Sequence, residues 1–356
     1  MKLPTIKDIA AEAGVNKCVV SHVLHDDAYA AKVRPETRRR ILDIAGKIGY
    51  RRNVLASSTR TGQVNTIAVI LNFSKYQNSS PFSRIMTGIM FETSAHRQSV
   101  KVFSDEDLDD SFHQIVENRI GKVIMMSVDP DLRKRAADLA DQYSLDLVYA
   151  YEHGHGKYPA VNVDNAEITS KIVHYLNENG HTRIGLLCVP HRYHYITDRH
   201  AGYLRGMTEC GLEPDPRWSS CSNDIEHAIE AMFALPVGER PTALVALSDS
   251  VAARVQSYAV RNSLRFPQDI SVVGIGDFDI ARQLPFPLTT MSESLQETGQ
   301  FLVRLLMKEP LGIEPDEFNV YHTHAVLVER QSVYNIKQEG KNEKTLSGIH
   351  PVRKAR

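Results

Sequence analysis

Residues 5–24 read TIKDIAAEAGVNKCVVSHVL, and this stretch decides the fold at the start of the chain. Four apolar residues recur in it at the i, i+3, i+4, i+7 spacing that predicts one buried helical face: Ile6, Ile9, Ala10 and Ala13. Gly14 is placed to end this helix, because glycine accepts the left-handed backbone found at helix C-termini. Asn16 can then cap a second helix, whose apolar face would hold Val20, Val23 and Leu24.

A third helix is predicted further along the chain. Pro35 suits its first position, and its apolar stripe would consist of Ile41, Leu42, Ala45 and Ile48. Three short helices with a tight turn between the first two are typical of a helix-turn-helix, whose second helix enters the major groove of DNA. The outer face of that second helix would carry Lys17, Cys18, Ser21 and His22.

Charge is distributed unevenly along the chain. Residues 1–62 contain twelve basic and six acidic side chains, a net charge of +6, whereas the whole chain carries −1. The remaining residues therefore carry −7. A basic beginning on an acidic body is typical of a DNA-binding module joined to a second function.

From Asn65 onward, short apolar runs alternate with amphipathic stretches. This alternation predicts parallel sheets with helices on both faces, and the number of runs favours two sheets. The predicted strands are Ile67–Leu71, Val100–Phe103, Val123–Ser127, Leu147–Ala150, Ile184–Cys188, Ala243–Leu247 and Ser271–Ile275. The predicted organisation is a helix-turn-helix domain at 1–50, a polar linker at 51–63, an α/β unit at 64–333 and a disordered tail at 334–356.

The first motif, together with Pro35-Glu-Thr-Arg and Gly49-Tyr50, resembles the head of the LacI/GalR (lactose-repressor/galactose-repressor) family of bacterial transcription regulators. The resemblance implies that Lys17, Cys18 and His22 occupy base-reading positions. It also implies that phosphates are held by Thr5, Asn16 and Ser21, which sets the register on DNA but not the sequence that is read.

In this family, residues corresponding to 51–63 form a hinge helix on operator DNA, and a leucine wedges into the minor groove. The resemblance places Asn53, Leu55, Ala56 and Thr59 at the DNA. Thr59 stands where the family usually has the wedging leucine, and Arg52 stands where it usually has proline. Threonine is a poor wedge, so either the kink is absent or Leu55 supplies the apolar contact.

The body resembles the periplasmic sugar-binding proteins, as the core of this family does. The motifs are Val161-Asn-Val-Asp-Asn165, Gly180–Gly185, Asp198–Tyr203, Ala246–Asp249, Asp269–Gly274, Pro287–Thr290 and Val328–Ser332. The resemblance implies two doubly wound parallel-sheet lobes, crossed near 164, 290 and 325, with an effector cleft between them. The candidate effector contacts are Phe82, Asp164, Tyr193, Tyr195, Arg199, Ser248, Asp249 and Asp277.

Several of these candidates also have a purely structural interpretation. Asp249 can cap a helix, Arg199 can form a structural salt bridge, and Asp164 can make a contact between the lobes. Tyr193 and Tyr195 can simply pack. The histidines at 153, 155, 191 and 194 match no recurring metal-site spacing, so we expect them at the surface.

The sequence contains no feature of an enzyme, a membrane protein or a metal site. It has no P-loop, no G-x-S-x-G and no dinucleotide fingerprint, so neither catalysis nor a cofactor nor a metal is predicted. No signal-peptide-like stretch and no run of about 18 apolar residues occurs. Four cysteines without a C-x-x-C pair favour a cytoplasmic protein with reduced thiols.

The sequence therefore predicts a cytoplasmic, homodimeric repressor that binds near-palindromic double-stranded operator DNA. Its effector is predicted to be a sugar or a sugar derivative. A nucleobase or another non-sugar corepressor is the alternative effector, and transcriptional activation is the alternative outcome.

Overall fold

The computed structural model describes residues 4–25, 28–50, 64–72, 80–190 and 193–337. The chain divides into two compact units, Met1–Val64 and Asn65–Arg356. Among the described residues, no helix has both the length and the apolar character needed to span a membrane.

The first unit contains three α-helices: α1 (Ile6–Ala13), α2 (Lys17–His25) and α3 (Pro35–Lys47). Gly14 ends α1 in the left-handed region with φ of 63°, as predicted. The core of the unit is formed by Ile9, Val20, Val23 and Ile41. One predicted core position is wrong: Leu42 is 46% exposed, because the face of α3 that packs on α1 is occupied by Ile44 and Ala45.

The second unit has two six-stranded sheets, and the first of them defines the N-lobe. Its strands are β1 (Thr66–Leu71), β2 (Ser99–Ser104), β3 (Lys122–Met125), β4 (Asp146–Ala150), β5 (Ala160–Val163) and β11 (Val320–Thr323). They lie in the order β11-β5-β4-β3-β1-β2, and every pair is parallel. The helices of this lobe are α4 (Ser80–Ala95), α5 (Leu108–Glu117), α6 (Pro130–Tyr143) and α12 (Leu295–Leu306).

The second sheet defines the C-lobe. Its strands are β6 (Ile184–Cys188), β7 (Ser219–Cys221), β8 (Ala243–Ala246), β9 (Ser271–Ile275), β10 (Thr289–Glu293) and β12 (Ala325–Val328), in the order β12-β10-β9-β8-β6-β7. The helices are α7 (Asn165–Glu178), α8 (His194–Glu209), α9 (Ile225–Ala234), α10 (Asp249–Arg261) and α11 (Asp279–Gln283). The two-sheet α/β architecture is as predicted, but β12 is antiparallel to β10.

The chain passes between the lobes three times. It leaves the N-lobe sheet after Val163, returns after Glu293, and crosses again between Thr323 and Ala325. Five strands of the structure were not predicted from the sequence: β5, β7, β10, β11 and β12. Strand β10, for example, reads TTMSE, and only its methionine is apolar.

The cysteine prediction needs correction. Cys188 and Cys221 lie directly opposite each other in β6 and β7, with their Cα atoms 4.5 Å apart, and form a disulfide. Their separation of 33 residues in the sequence resembles no recurring pair, so only the strand register brings them together. Cys18 and Cys210 are free thiols.

Helices α4 and α12 pack closely through two glycines, which suggests a stability test. A Cβ atom on Gly88 would collide with the backbone carbonyl of Gln296, and one on Gly299 with that of Ile85. We expect Gly88→Ala to lower the free energy of unfolding of the second unit by about 1–3 kcal/mol, although alanine is the better helix former. Gly238→Ala is the control, because nothing lies within 4 Å of its Cβ position. Urea unfolding measures both; equal midpoints for the two variants would contradict the close packing.

Candidate functional site

The outer face of α2 is polar and accessible. Lys17 and Cys18 are exposed, whereas Ser21 and His22 are half-buried. Asn16 holds the start of the helix, since its Oδ1 accepts the Cys18 backbone N–H at 2.9 Å. This capping role was predicted from the sequence and sets the direction in which Lys17 and Cys18 leave the helix.

A small aromatic and basic group extends this face. The rings of His22 and Tyr29 stack with centroids 5.0 Å apart, and the Nζ atom of Lys32 lies 4.7 Å from the Tyr29 centroid. Tyr29 is 59% exposed, so the stack lies at the surface. His22 is thereby oriented by an aromatic contact that sequence spacing did not indicate.

The remaining predicted DNA contacts have different placements. The backbone N–H and hydroxyl of Thr5 both donate to Asp8 Oδ2 at 2.7 Å, so Thr5 lies at the exposed start of α1. The hinge candidates Asn53, Leu55, Ala56 and Thr59 lie outside the described residues.

The second unit contains a cleft at the carboxyl ends of its parallel strands, where open α/β sheets bind ligands. Its cavity has a volume of about 430 Å³, within the range of roughly 300–1,000 Å³ typical of small-molecule pockets. Both lobes contribute to the lining: Pro81, Phe82, Val128 and Tyr151 come from the N-lobe, and Val189, Tyr193, Tyr195, Ile196, Arg199, Leu247, Ser248, Val251, Ile275, Phe278 and Glu293 from the C-lobe. Five of the eight predicted effector contacts are among them.

Arg199 is the principal charged group in the cleft wall. It is 5% exposed, and its three nitrogens donate to Asn165 Oδ1 at 2.7 Å, the Leu247 carbonyl at 2.9 Å and Glu293 Oε1 at 2.7 Å. These bonds use three of the five N–H groups of the guanidinium, which leaves two for a bound molecule. Arg199 therefore both forms a structural salt bridge with Glu293 and lines the cleft.

Asp249 lies behind the cleft and not in its lining. It is fully buried; Oδ1 accepts the Thr290 hydroxyl at 2.6 Å and Oδ2 accepts the Phe278 backbone N–H at 2.8 Å. Burial raises the pKa of this carboxyl to about 6, against the lowering effect of those two hydrogen bonds. Asp249 thus ties β10 to the loop that follows β9. Helix α10 is capped by Ser248, whose Oγ accepts the Val251 N–H at 3.3 Å.

The other two predicted aspartates also turn away from the cleft. Asp277 has φ of 52° and is 5% exposed; its carboxylate accepts from Arg330 at 2.5 Å and Arg282 at 2.8 Å. Asp164 is the exposed N-cap of α7, where it accepts the Glu167 N–H at 2.8 Å. None of the three predicted aspartates therefore lines the cleft.

Ten cleft-lining side chains were not predicted from the sequence, and three of them are aromatic or charged: Tyr151, Phe278 and Glu293. Glu293 ends β10, a strand whose polar sequence was not recognised as a strand. Phe278 directly follows Asp277, which was predicted as the effector contact in its place. Tyr151 follows β4 with φ of 71°, a left-handed conformation that is costly for a tyrosine. A buried strand followed by an aromatic residue was the available signal for Tyr151.

Among the described residues, one trio of side chains has ligand atoms close enough together to hold a metal ion. Glu92, His96 and Glu309 lie with those atoms within 4.8 Å of one another. The three already form ion pairs, His96 Nε2 lying 3.3 Å from Glu92 and 3.6 Å from Glu309. None of them lines the cleft, so they are not part of the effector site.

Comparison with known proteins matches two regions of the chain. Residues 5–53 match the family described as bacterial regulatory proteins, lacI family, and residues 173–333 match the periplasmic binding protein-like domain. The HTH-type transcriptional repressor PurR of Aliivibrio salmonicida is 26% identical, covering 94% of this chain and 100% of the relative. The repressor CytR of Escherichia coli K12 is 28% identical, covering 86% and 90%.

Among solved structures, the lac repressor dimer bound to operator and the anti-inducer ONPF is similar in fold. Its TM-score is 0.71 at 21% identity, covering 94% of this chain and 100% of that chain.

The buried Arg199–Glu293 pair generates a stability prediction. Removing one partner of a buried pair leaves an uncompensated charge and costs about 3–5 kcal/mol, so Arg199→Ala should strongly destabilise the second unit. The double variant Arg199→Ala with Glu293→Gln should recover part of that loss, because the orphaned carboxylate is gone. Urea unfolding of the two single variants and the double variant measures the coupling. Additive effects of the two substitutions would show that the pair is not coupled.

Proposed function

Because this chain is a LacI-family regulator, with a lacI-family DNA-binding domain followed by a periplasmic-binding-protein-like domain, we propose that a small molecule in the cleft controls its affinity for an operator. One observation carries the proposal: an exposed, polar recognition-type helix and a two-lobed cleft lie on the same chain. The curated relatives PurR and CytR are repressors, which favours repression over activation.

The DNA-reading side chains in this proposal are those at the start of α2. Lys17 is exposed at the N-terminal end of the helix, the end that faces base edges in a helix-turn-helix, and it can donate to guanine O6 or N7. Cys18 beside it is a weak donor and suits a thymine methyl. His22, oriented by Tyr29, is the third reader, and Thr5, Asn16 and Ser21 contact phosphates.

We propose a homodimer on a near-palindromic site. A single helix-turn-helix reads only one half-site, and two-fold symmetric proteins match palindromic operators for that reason. The lac repressor structure with a similar fold is a dimer on its operator. The hinge candidates at Asn53, Leu55, Ala56 and Thr59 would contact the minor groove between the half-sites.

The effector is proposed to be a sugar or a sugar derivative. Aromatic rings from both lobes line the cleft: Phe82, Tyr151, Tyr193, Tyr195 and Phe278. Tyr193 and Tyr195 are stacked with centroids 5.9 Å apart, and such a surface can cover the apolar face of a pyranose. Arg199, Ser248 and Glu293 supply donors and acceptors for hydroxyl groups.

The same lining favours a second candidate, a nucleobase or nucleoside. Five aromatic rings around one buried Arg–Glu pair suit a planar heterocycle at least as well as a sugar, because such rings stack face to face. The predicted carboxylates that would hold sugar hydroxyls, Asp164, Asp249 and Asp277, point elsewhere. The effector screen below therefore includes both classes.

We place this regulator in the cytoplasm, where its operator would be, and assign it no catalytic role. Cytoplasmic thiol buffers reduce most disulfides, so the Cys188–Cys221 pair would be exposed to reduction there.

The DNA-binding half of the proposal is tested by selecting binding sites from random duplex DNA with the full chain. Lys17→Ala should relax base preference at one position of each half-site, with a loss of about 1–3 kcal/mol on the preferred base. Ser21→Ala should weaken all sites evenly, because phosphate contacts carry no sequence information. Lys47→Ala, on the exposed end of α3, is the control. An even loss across sequences for Lys17→Ala would contradict its base-reading role.

The effector half is tested by thermal melting in the presence of sugars, nucleobases and nucleosides. A true effector should raise the melting temperature as its concentration rises. At one hundred times its Kd, it should add about 2.7 kcal/mol to the free energy of unfolding. The same compound should shift the operator-binding curve, because control requires different affinities for the two states. A compound that stabilises the protein but leaves operator binding unchanged would refute control of DNA binding by the cleft.

A further inference from the structure

Helix α8 carries three side chains of the cleft wall, and its first turn lacks a cap of its own. Tyr195, Ile196 and Arg199 all lie on this helix. The N-cap residue is Tyr193, whose side chain makes no capping hydrogen bond. The first backbone N–H groups of a helix have no partner within the helix, so they need an acceptor from elsewhere.

That acceptor comes from the opposite lobe. Glu152, which follows β4 of the N-lobe, is 1% exposed. Its Oε2 accepts the backbone N–H of His194 at 3.0 Å, and its Oε1 accepts that of Tyr195 at 3.5 Å. A carboxylate at this position is also favourably placed against the helix dipole.

A second contact between the lobes lies next to the first. His153 Nε2 is 3.0 Å from Asp198 Oδ2 on α8. The His153 ring is stacked between His194, at 4.5 Å, and Phe318, at 4.4 Å. The sequence predicted surface histidines; His153 instead joins the lobes, because the turn after β4 directs it at α8.

The turn that carries Glu152 and His153 is held by a buried arginine. Arg133 on α6 is 4% exposed and donates to the carbonyls of Ser127 and Ala150, both at 3.2 Å, and of His153 at 2.5 Å. Tyr151 lies inside this turn in its left-handed conformation and faces the cleft. One turn thus places an aromatic ring in the cleft and a carboxylate on the helix opposite.

We propose that Glu152 and His153 form a clasp that caps α8 from the other lobe, holds the lobes together at the cleft, and so positions Tyr195 and Arg199 for the effector. The positioning role rests on the proposed function, because it concerns the same effector cleft. The structural part, capping across the lobes, depends on neither DNA nor an effector.

Closure of the clasp should take up protons. Burial raises the pKa of Glu152 to about 6, against the lowering effects of Arg133 and of the His194 and Tyr195 N–H groups. Opening the lobes would return this carboxyl to water and to its ordinary pKa of 4.5, so the closed state binds more protons between those values. Acidification from pH 6 therefore favours closure, and the ionised carboxylate favours opening.

The neighbouring histidines act in opposite directions on the same equilibrium. Asp198 raises the pKa of His153, with smaller contributions from Glu152 and Asp316, so its protonation also favours closure. Burial and the nearby His153 lower the pKa of His194, so its protonation opposes closure. A Glu152→Gln variant isolates the carboxyl, because glutamine keeps an acceptor but does not titrate.

Hydrogen exchange of the full chain, read by mass spectrometry on peptides spanning residues 190–199, tests the clasp without DNA or effector. Glu152→Ala should speed exchange of the His194 and Tyr195 amides at least tenfold. Glu152→Gln should keep much of the protection. Once exchange rates are corrected for intrinsic exchange, the unsubstituted chain should show a pH dependence between pH 4.5 and 6, and Glu152→Gln should lose it. Unchanged protection in Glu152→Ala would overturn the proposal, as would an unchanged pH profile in Glu152→Gln.

Glu209→Ala is the matched control. Glu209 lies at the other end of α8 and also pairs with a histidine, accepting from Ser170 at 2.8 Å and lying 2.9 Å from His174 Nε2, but these partners are all in the C-lobe. The Glu209→Ala variant should exchange the amides of residues 190–199 at the same rate as the unsubstituted chain. Failure of the effector screen with a normal exchange result would count against the proposed function and not against the clasp.

Discussion

The buried guanidinium of Arg199 is the interaction on which the cleft depends. It joins the start of α7, the end of β8 and the end of β10 through Asn165, Leu247 and Glu293. A buried arginine of this kind is tolerable because its charge meets that of Glu293 and two further hydrogen bonds, to Asn165 and Leu247, satisfy other donors of the guanidinium. Arg199 also lines the cavity, so the stability of the lobe and the chemistry of the site are not separable here.

Asp249, which follows β8, is a second buried charged group that joins separate elements of the C-lobe. Its carboxylate ties Thr290 on β10 to the loop that follows β9, and the Asp277 carboxylate is held by Arg330 and Arg282. The C-lobe therefore uses its strand-end carboxylates to fix its own loops. The polar side chains of the cleft lining are Arg199, Ser248, Glu293 and three tyrosines, so this cleft is less polar than its sequence motifs suggest.

The two lobes are joined by polar groups as well as by the three chain crossings. On one side Arg84 of α4 donates to the carbonyl of Asp277 at 2.7 Å; elsewhere Glu152 and His153 meet α8. Each contact reaches a segment that also lines the cleft. Phe278 directly follows Asp277, and Tyr195 lies on α8, the helix that Glu152 and His153 contact. Any change in lobe angle must therefore move the walls of the cavity, and the converse holds equally.

The sequence by itself determined the three-helix head, the alternating α/β body and the motif positions, because these depend on local periodicity, caps and glycines such as Gly14. Five of the side chains predicted to contact an effector also line the cleft: Phe82, Tyr193, Tyr195, Arg199 and Ser248. Only the tertiary structure decided which way strand-end carboxylates turn, that Leu42 faces solvent, that Cys188 meets Cys221, and that Glu152 caps a helix of the other lobe. These outcomes depend on contacts between residues far apart in the chain, for which one sequence has no periodic signal.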